Sequence, residues 1–201
     1  MTISDRKARE KEQRRQAILS AAEKRFAREG YHATLLDAIA EDVEISKGTI
    51  YLYFKNKEDL FFSLIDEKIT QYFSHLVDCI NKTDSLEHLV QTLVNEAVEH
   101  FQRNHHLIRL VMSEQVKFES PLHRNLRDQF LSKRQRYLEA IEARLAQYLP
   151  PGTALDSRSI TLTIIGAIHQ LIMEWLLSHR TLDLTKTKQD VIHIMLRGIR
   201  A

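Results

Sequence analysis

Between Lys47 and Lys57 the chain gathers side chains that suit contact with a polyanion: Lys47, Thr49, Tyr51, Tyr53 and Lys57. A lysine reaches a guanine edge or a phosphate, a threonine methyl meets a thymine methyl, and tyrosine hydroxyls donate to phosphate oxygens. Lys57 is expected to open a helix, where its ammonium and the helix N-terminus would hold one phosphate together. Gly48 carries no side chain, so backbone can come close to whatever lies opposite. Ile50 and Phe54, four apart, would anchor the opposite side of the same helix. Tyr51 and Tyr53 cannot share one buried helix face, so at least one is expected to be exposed.

Such residues need a support. Leu36, Ile39, Ala40 and Val43 fall on one stripe and predict a short helix. Glu44-Ile45-Ser46 predicts a tight turn, with Ile45 pointing inward. Thr34 and Asp37 have capping-box spacing, so Thr34 is expected to start the first helix. Ser46 suits the N-cap of the second, over Lys47–Phe54. Two short helices joined this way make a helix-turn-helix, whose second helix enters the major groove. Upstream, Ile18, Ala21, Ala22 and Phe26 share a stripe on a helix over Glu12–Glu29, closed by Gly30. Residues 1–11 read as a basic arm, disordered or frayed. Residues 1–28 hold nine Lys/Arg against four Asp/Glu, whereas the whole chain carries only +2. That gathering of positive charge at one end fits a nucleic-acid partner.

Together these residues resemble the N-terminal domain of the TetR family of bacterial regulators. The matching run is "TLLDAIAEDVEISKGTIYLYFKNKEDLFF" from Thr34 to Phe62, preceded by "ILSAAEKRFAREG" from Ile18 to Gly30. The resemblance covers a quarter to a third of the chain and is specific as a combined motif. It implies an all-α protein in which a three-helix DNA-binding domain (12–57, motif about 34–54) joins a helical ligand-binding and dimerisation domain (58–201). It implies a homodimer on a palindromic operator, most simply a repressor released by a small molecule. Residues carried over to the DNA side are Thr34, Lys47, Gly48, Thr49, Tyr51, Tyr53 and Lys57. This chain departs from the pattern at Leu35, where the family often has a second threonine, and at Val43-Glu44, where Ala-Gly is usual. Glu44 must either take a left-handed conformation or alter the turn.

Past Lys57 the periodicity predicts helices through Ile80 and over Asp84–Asn104, His106–Phe118, Pro121–Leu149, Asp156–His179 and Lys186–Arg200. With 43% hydrophobic residues and few Gly or Pro, such a body can bury a sizeable core. Phe101, Met112, Phe118, His169, Met173 and Trp175 are candidate pocket residues for a small, largely apolar ligand. Ile160, Ile164, Ile168, Ile192 and Met195 are candidates for a four-helix interface between two copies. The lone Cys79 suits a reducing cytoplasm and is expected to fill apolar space between Leu76 and Ile80. Ten histidines invite a metal, but Glu96, His100, His105 and His106 follow no metalloprotein pattern, so no metal or cofactor is expected. Polar interruptions between Ile160 and Leu177 favour a buried helix over a membrane span. There is no nucleophile–base–orienter set and no phosphate loop, which argues against an enzyme. The rival is a helical small-molecule or lipid carrier with a vestigial DNA head.

Overall fold

The computed structural model describes residues 3–113, 121–149, 155–178 and 181–200, with side chains described except at 3, 107–126 and 200. Among these residues the regular structure is helical: α1 (Ile3–Glu29), α2 (Leu36–Asp42), α3 (Lys47–Ile50), α4 (Lys57–Asn81), α5 (Leu86–Ser113), α6 (Pro121–Tyr148), α7 (Ser157–Leu177) and α8 (Leu184–Arg200). Two compact units result. One comprises Met1–Ile69 with His106–Gln129, the other Thr70–His105 with Phe130–Ala201. Helix α4 supplies residues to both.

Several expectations change at this level. The basic arm is helical from Ile3, supported by an Arg6–Glu10 pair one turn apart and by Glu12 meeting Arg15 and Gln16. The two helices expected over Asp84–Phe118 begin as one, α5, because nothing at His105-His106 interrupts the hydrogen-bond ladder. Its start is capped by Ser85, whose hydroxyl accepts from the His88 amide. Asp156 caps α7 through the Ser159 amide and hydroxyl, and Asp183 caps α8.

The first unit closes over Ile18, Phe26, Ile39, Ile50, Phe54, Leu60 and Phe61, all buried. Salt bridges at its margin tie α1 to α4 (Arg15–Glu67, 3.1 Å; Lys68–Glu23, 2.7 Å). The second unit closes over Leu76, Leu89, Leu93, Leu138, Ile141, Ile164 and their neighbours. There Arg144 of α6 binds the turn between α4 and α5, donating to the carbonyls of Asn81 (3.2 Å) and Thr83, and the Tyr148 hydroxyl donates to Thr83 O at 2.6 Å. Helix α7 is long and apolar enough by composition to cross a membrane. Its apolar side nevertheless belongs to this core: Ile160, Ile164, Ile168, Leu171, Ile172 and Trp175 are all buried.

That burial corrects the interface expectation. Ile160, Ile164, Ile168 and Met195 are consumed inside one chain, and Ile192 packs against the same core. Periodicity showed an apolar stripe, and the core of the same chain covers it. The surface it leaves carries Leu162, Gly166, His169, Gln170 and Leu177 instead, all exposed, and α8 leaves Ile194 exposed.

Candidate nucleic-acid interface

Helices α2 and α3 are joined by a turn whose backbone follows from its bonds. The Glu44 amide donates to Glu41 O (3.1 Å) and the Ile45 amide to Ala40 O (3.0 Å), with Glu44 at φ +56°. This pair of bonds is the Schellman ending of a helix, which places a left-handed residue just past the cap and an apolar one after it. Glu44 therefore takes the left-handed option, at a cost of about 1–2 kcal/mol for a residue with a Cβ. Ile45 packs against the core, as its position after the cap requires. At the end of α1, Gly30 occupies the equivalent position at φ +80°, its amide bonded to Phe26 O at 3.0 Å.

Ser46 then starts α3. Its hydroxyl accepts from the Thr49 amide at 3.1 Å and lies 2.9 Å from the Thr49 hydroxyl. After Ile50 the chain tightens into turns (Leu52 N to Thr49 O, Tyr53 N to Ile50 O) and reaches Phe54 without opening. The regular α3 is thus shorter than the expected Lys47–Phe54 helix, although Ile50 and Phe54 both anchor in the core. Ahead of them, Lys47 and Gly48 are exposed and Thr49 is half-exposed. Tyr51 is 49% exposed, whereas Tyr53 packs partly against the core. Lys47 is held by Asp37 of α2 at 2.8 Å, and that hydrogen bond raises its ammonium pKa above the ordinary lysine value. Asp37, whose charge would oppose DNA, is in this way paired with the lysine beside it.

Gly48 is informative because nothing among the described residues requires it. Its φ is not positive, and a Cβ built there would meet only the Ser46 hydroxyl, at an ordinary 3.6 Å. Glycine at an exposed helical position costs up to about 1 kcal/mol relative to alanine. A bare backbone at the start of the exposed helix leaves amides and α-carbons open to close approach from outside.

Two expected contact residues are placed differently. Thr34 is fully buried, its hydroxyl donating to Gly30 O at 2.7 Å. The N-cap of α2 is Leu35, without a side-chain bond, so the capping box does not form. Thr34 instead secures the loop between α1 and α2. Lys57 does open α4, but its ammonium donates to three carbonyls of that loop: Tyr31 (2.9 Å), His32 (3.1 Å) and Thr34 (3.1 Å). It also lies over the Tyr31 ring, 4.7 Å from its centre. All three donors of an ammonium are thereby used, and Lys57 serves as the clamp of the α1–α2 loop.

Arg25 of α1 performs a similar task at the end of α2. It makes two bonds of 2.6 Å to Asp42 and one of 2.9 Å to Glu29. These bonds raise the Arg25 pKa and hold the Asp42 carboxylate below its usual value, while Arg28 first and Arg25 second hold Glu29 below its own. Leu52, 76% exposed beside Tyr51, was not among the expected residues. Its signal was present: two positions from the inward Ile50, it must point outward.

Of the expected pocket residues, Trp175 is buried and meets the His105 ring edge-on at 6.0 Å, while Phe101 lies one turn earlier on α5. Met173 is half-buried. His169 is exposed on the other side of α7 and so does not join Trp175. Phe118 and the Met112 side chain lie outside the described residues.

Residues 18–64 match the family model described as "Bacterial regulatory proteins, tetR family". The chain is 25% identical over 185 residues to the fatty acid metabolism regulator protein of Bacillus subtilis, covering 90% of this chain and 93% of that one. The crystal structure of the regulator FadR from Bacillus subtilis in complex with stearoyl-CoA superposes with a TM-score of 0.68, at 25% identity over 92% of this chain and 98% of that one. The fatty acid degradation regulator FadR from Bacillus halodurans gives 0.67, at 26% identity over 90% and 94%. With its helix-turn-helix in place and regulators aligned along nearly its full length, this chain is a DNA-binding transcriptional regulator of the TetR family.

Proposed function

We propose that the protein is a cytoplasmic homodimeric repressor that leaves a palindromic operator when it binds a long-chain fatty acyl-CoA. The observation that carries the ligand class is the near end-to-end similarity to a regulator solved with stearoyl-CoA. The second unit has an apolar setting suited to an acyl chain: Tyr72, Phe73, Phe101, Phe130 and Tyr137 form a chain of ring contacts 5.4–6.2 Å apart between α4, α5 and α6. Burial raises the pKa of both tyrosines, so their hydroxyls stay protonated and able to donate.

At the DNA, Lys47, Gly48, Thr49, Tyr51 and Leu52 form the reading surface, with Tyr53 at its margin. Lys47 and Tyr51 bond phosphates or base edges, the Gly48 backbone approaches closely, and Leu52 offers an apolar contact to a thymine methyl. Leu162, Gly166, His169, Leu177 and Ile194 form the face that a second copy covers. The ligand acts only through the difference in its affinity for DNA-bound and DNA-free forms.

The test is titration of the operator complex with stearoyl-CoA, free coenzyme A and stearate, followed by fluorescence anisotropy. Release by stearoyl-CoA alone is expected. Release by none of them would remove acyl-CoA as effector and leave the DNA-binding assignment standing.

A further inference from the structure

His75 and Cys79 lie one turn apart on α4 and face Glu96 of α5. The three ligand atoms lie within 4.8 Å of one another. One ring nitrogen sits at the centre of the group: His75 Nε2 is 2.8 Å from a Glu96 carboxylate oxygen and 3.6 Å from Cys79 Sγ. We propose that His75, Cys79 and Glu96 form a binding site for a thiophilic divalent cation such as zinc, joining α4 to α5.

The donor set suits that ion. Zinc takes thiolate, imidazole and carboxylate ligands in tetrahedral array, with bonds of about 2.3 Å to sulfur and 2.0–2.1 Å to nitrogen. Those lengths put a ligating nitrogen and sulfur about 3.5 Å apart, close to the separation already present. The nitrogen–oxygen pair, now at hydrogen-bond distance, would open by about 0.5 Å as the metal replaces the proton between them. His75 is exposed and Cys79 and Glu96 are half-buried, so the ion has an entry path and solvent can supply a fourth ligand. Softness favours zinc over magnesium or calcium.

Burial first, and the neighbouring Glu96 after it, raise the Cys79 pKa. On binding, the Cys79 proton passes to the buffer and the thiolate becomes a ligand. The expectation that Cys79 merely fills space between Leu76 and Ile80 changes accordingly. The pattern was not legible as a motif, because Glu96 comes from a different helix.

The full-length protein, stripped with a chelator, is titrated with cobalt(II) and then with zinc(II). One saturable cobalt per chain is expected, with the charge-transfer absorption of a thiolate ligand, which zinc then bleaches. Only Cys79 can give that band, since the chain has one cysteine. Cys79→Ser should abolish it, and Glu96→Gln and His75→Ala should each weaken binding at least about tenfold. All three changes are at surface-accessible positions, and circular dichroism checks that the variants remain folded. Absence of the band at saturating cobalt overturns the site. So does a band of unchanged affinity in both Glu96→Gln and His75→Ala, which would mean that the thiol binds alone.

Discussion

Gly48→Ala separates what the fold needs from what DNA needs. In the free protein the added methyl has room, meeting only the Ser46 hydroxyl at 3.6 Å. Alanine should even help: for an exposed first-turn position about 0.5 kcal/mol of helix propensity is gained. In a chain of this length that raises the melting temperature by roughly 1–2 °C. Against DNA the same methyl extends about 1.5 Å from the backbone, the length of a carbon–carbon bond. A phosphate or base edge held near 2.9 Å is then pushed beyond bonding range. One hydrogen bond to a charged group contributes about 1.5–3 kcal/mol, and a dimer loses one at each head, so about 3 kcal/mol or more is removed. At 1.4 kcal/mol per factor of ten, operator affinity should fall by over about a hundredfold. Anisotropy at fixed salt reads the affinity, and a thermal melt of the same sample reads the fold. Unchanged affinity would refute close approach of the backbone at Gly48. A lowered melting temperature would show that the glycine serves the fold after all.

Other perturbations follow from the same geometry. Lys57→Ala removes three bonds to loop carbonyls and should cost about 1.5–3 kcal/mol in urea unfolding, with weaker DNA binding as a consequence; an unaltered midpoint would return Lys57 to a purely DNA-facing role. Glu44→Gly relieves a left-handed residue but adds unfolded-state freedom, so a net gain of about 0.5–1 kcal/mol is expected, and a drop in melting temperature would show that Glu44 has a stabilising partner. Thr161 is fully buried on α7, its hydroxyl without a partner among the described residues, so Thr161→Val should stabilise by about 1 kcal/mol; destabilisation would reveal a bond that the fold depends on. The folded-state pKa values of Asp42 and Glu29 lie below their reference values of 3.8 and 4.5. The bonds of Asp42 to Arg25, and of Glu29 to Arg28 and Arg25, therefore contribute fully above about pH 4.5 and are lost as pH falls through the folded values. Acid unfolding of the DNA-binding unit should shift to higher pH in Arg25→Gln, and no shift would mean that the cluster is stabilised by something other than its charges.

The reading head was legible because its determinants are local. Ser46 caps, Ile50 and Phe54 have the four-residue spacing of one inward face, and Glu44 sits where a helix ending demands a left-handed residue; each signal lies within five positions, even though the core that receives Ile50 and Phe54 does not. Thr34 was misplaced because its hydroxyl turns back to Gly30 O, four residues upstream, and Lys57 because its partners come from another segment. A threonine before a helix reads equally well as a cap or as a loop tether. A lysine at a helix start suits a phosphate, until three carbonyls from twenty-odd residues upstream turn toward it. The α7 stripe was seen but its direction was not, since periodicity shows that a face is apolar without showing what covers it. His75, Cys79 and Glu96 meet only through helix pairing, which no spacing rule along one chain reveals.

The central claim is that this surface reads DNA as a symmetric pair. Anisotropy of the duplex upstream of the protein's own gene, measured from low to high salt, tests it most directly. One dimer per palindromic site is expected, with an affinity falling steeply and linearly on logarithmic axes with salt, and a shallower slope in Lys47→Ala. No salt-sensitive binding to that duplex, or binding by a monomer with the same slope in Lys47→Ala, would contradict it.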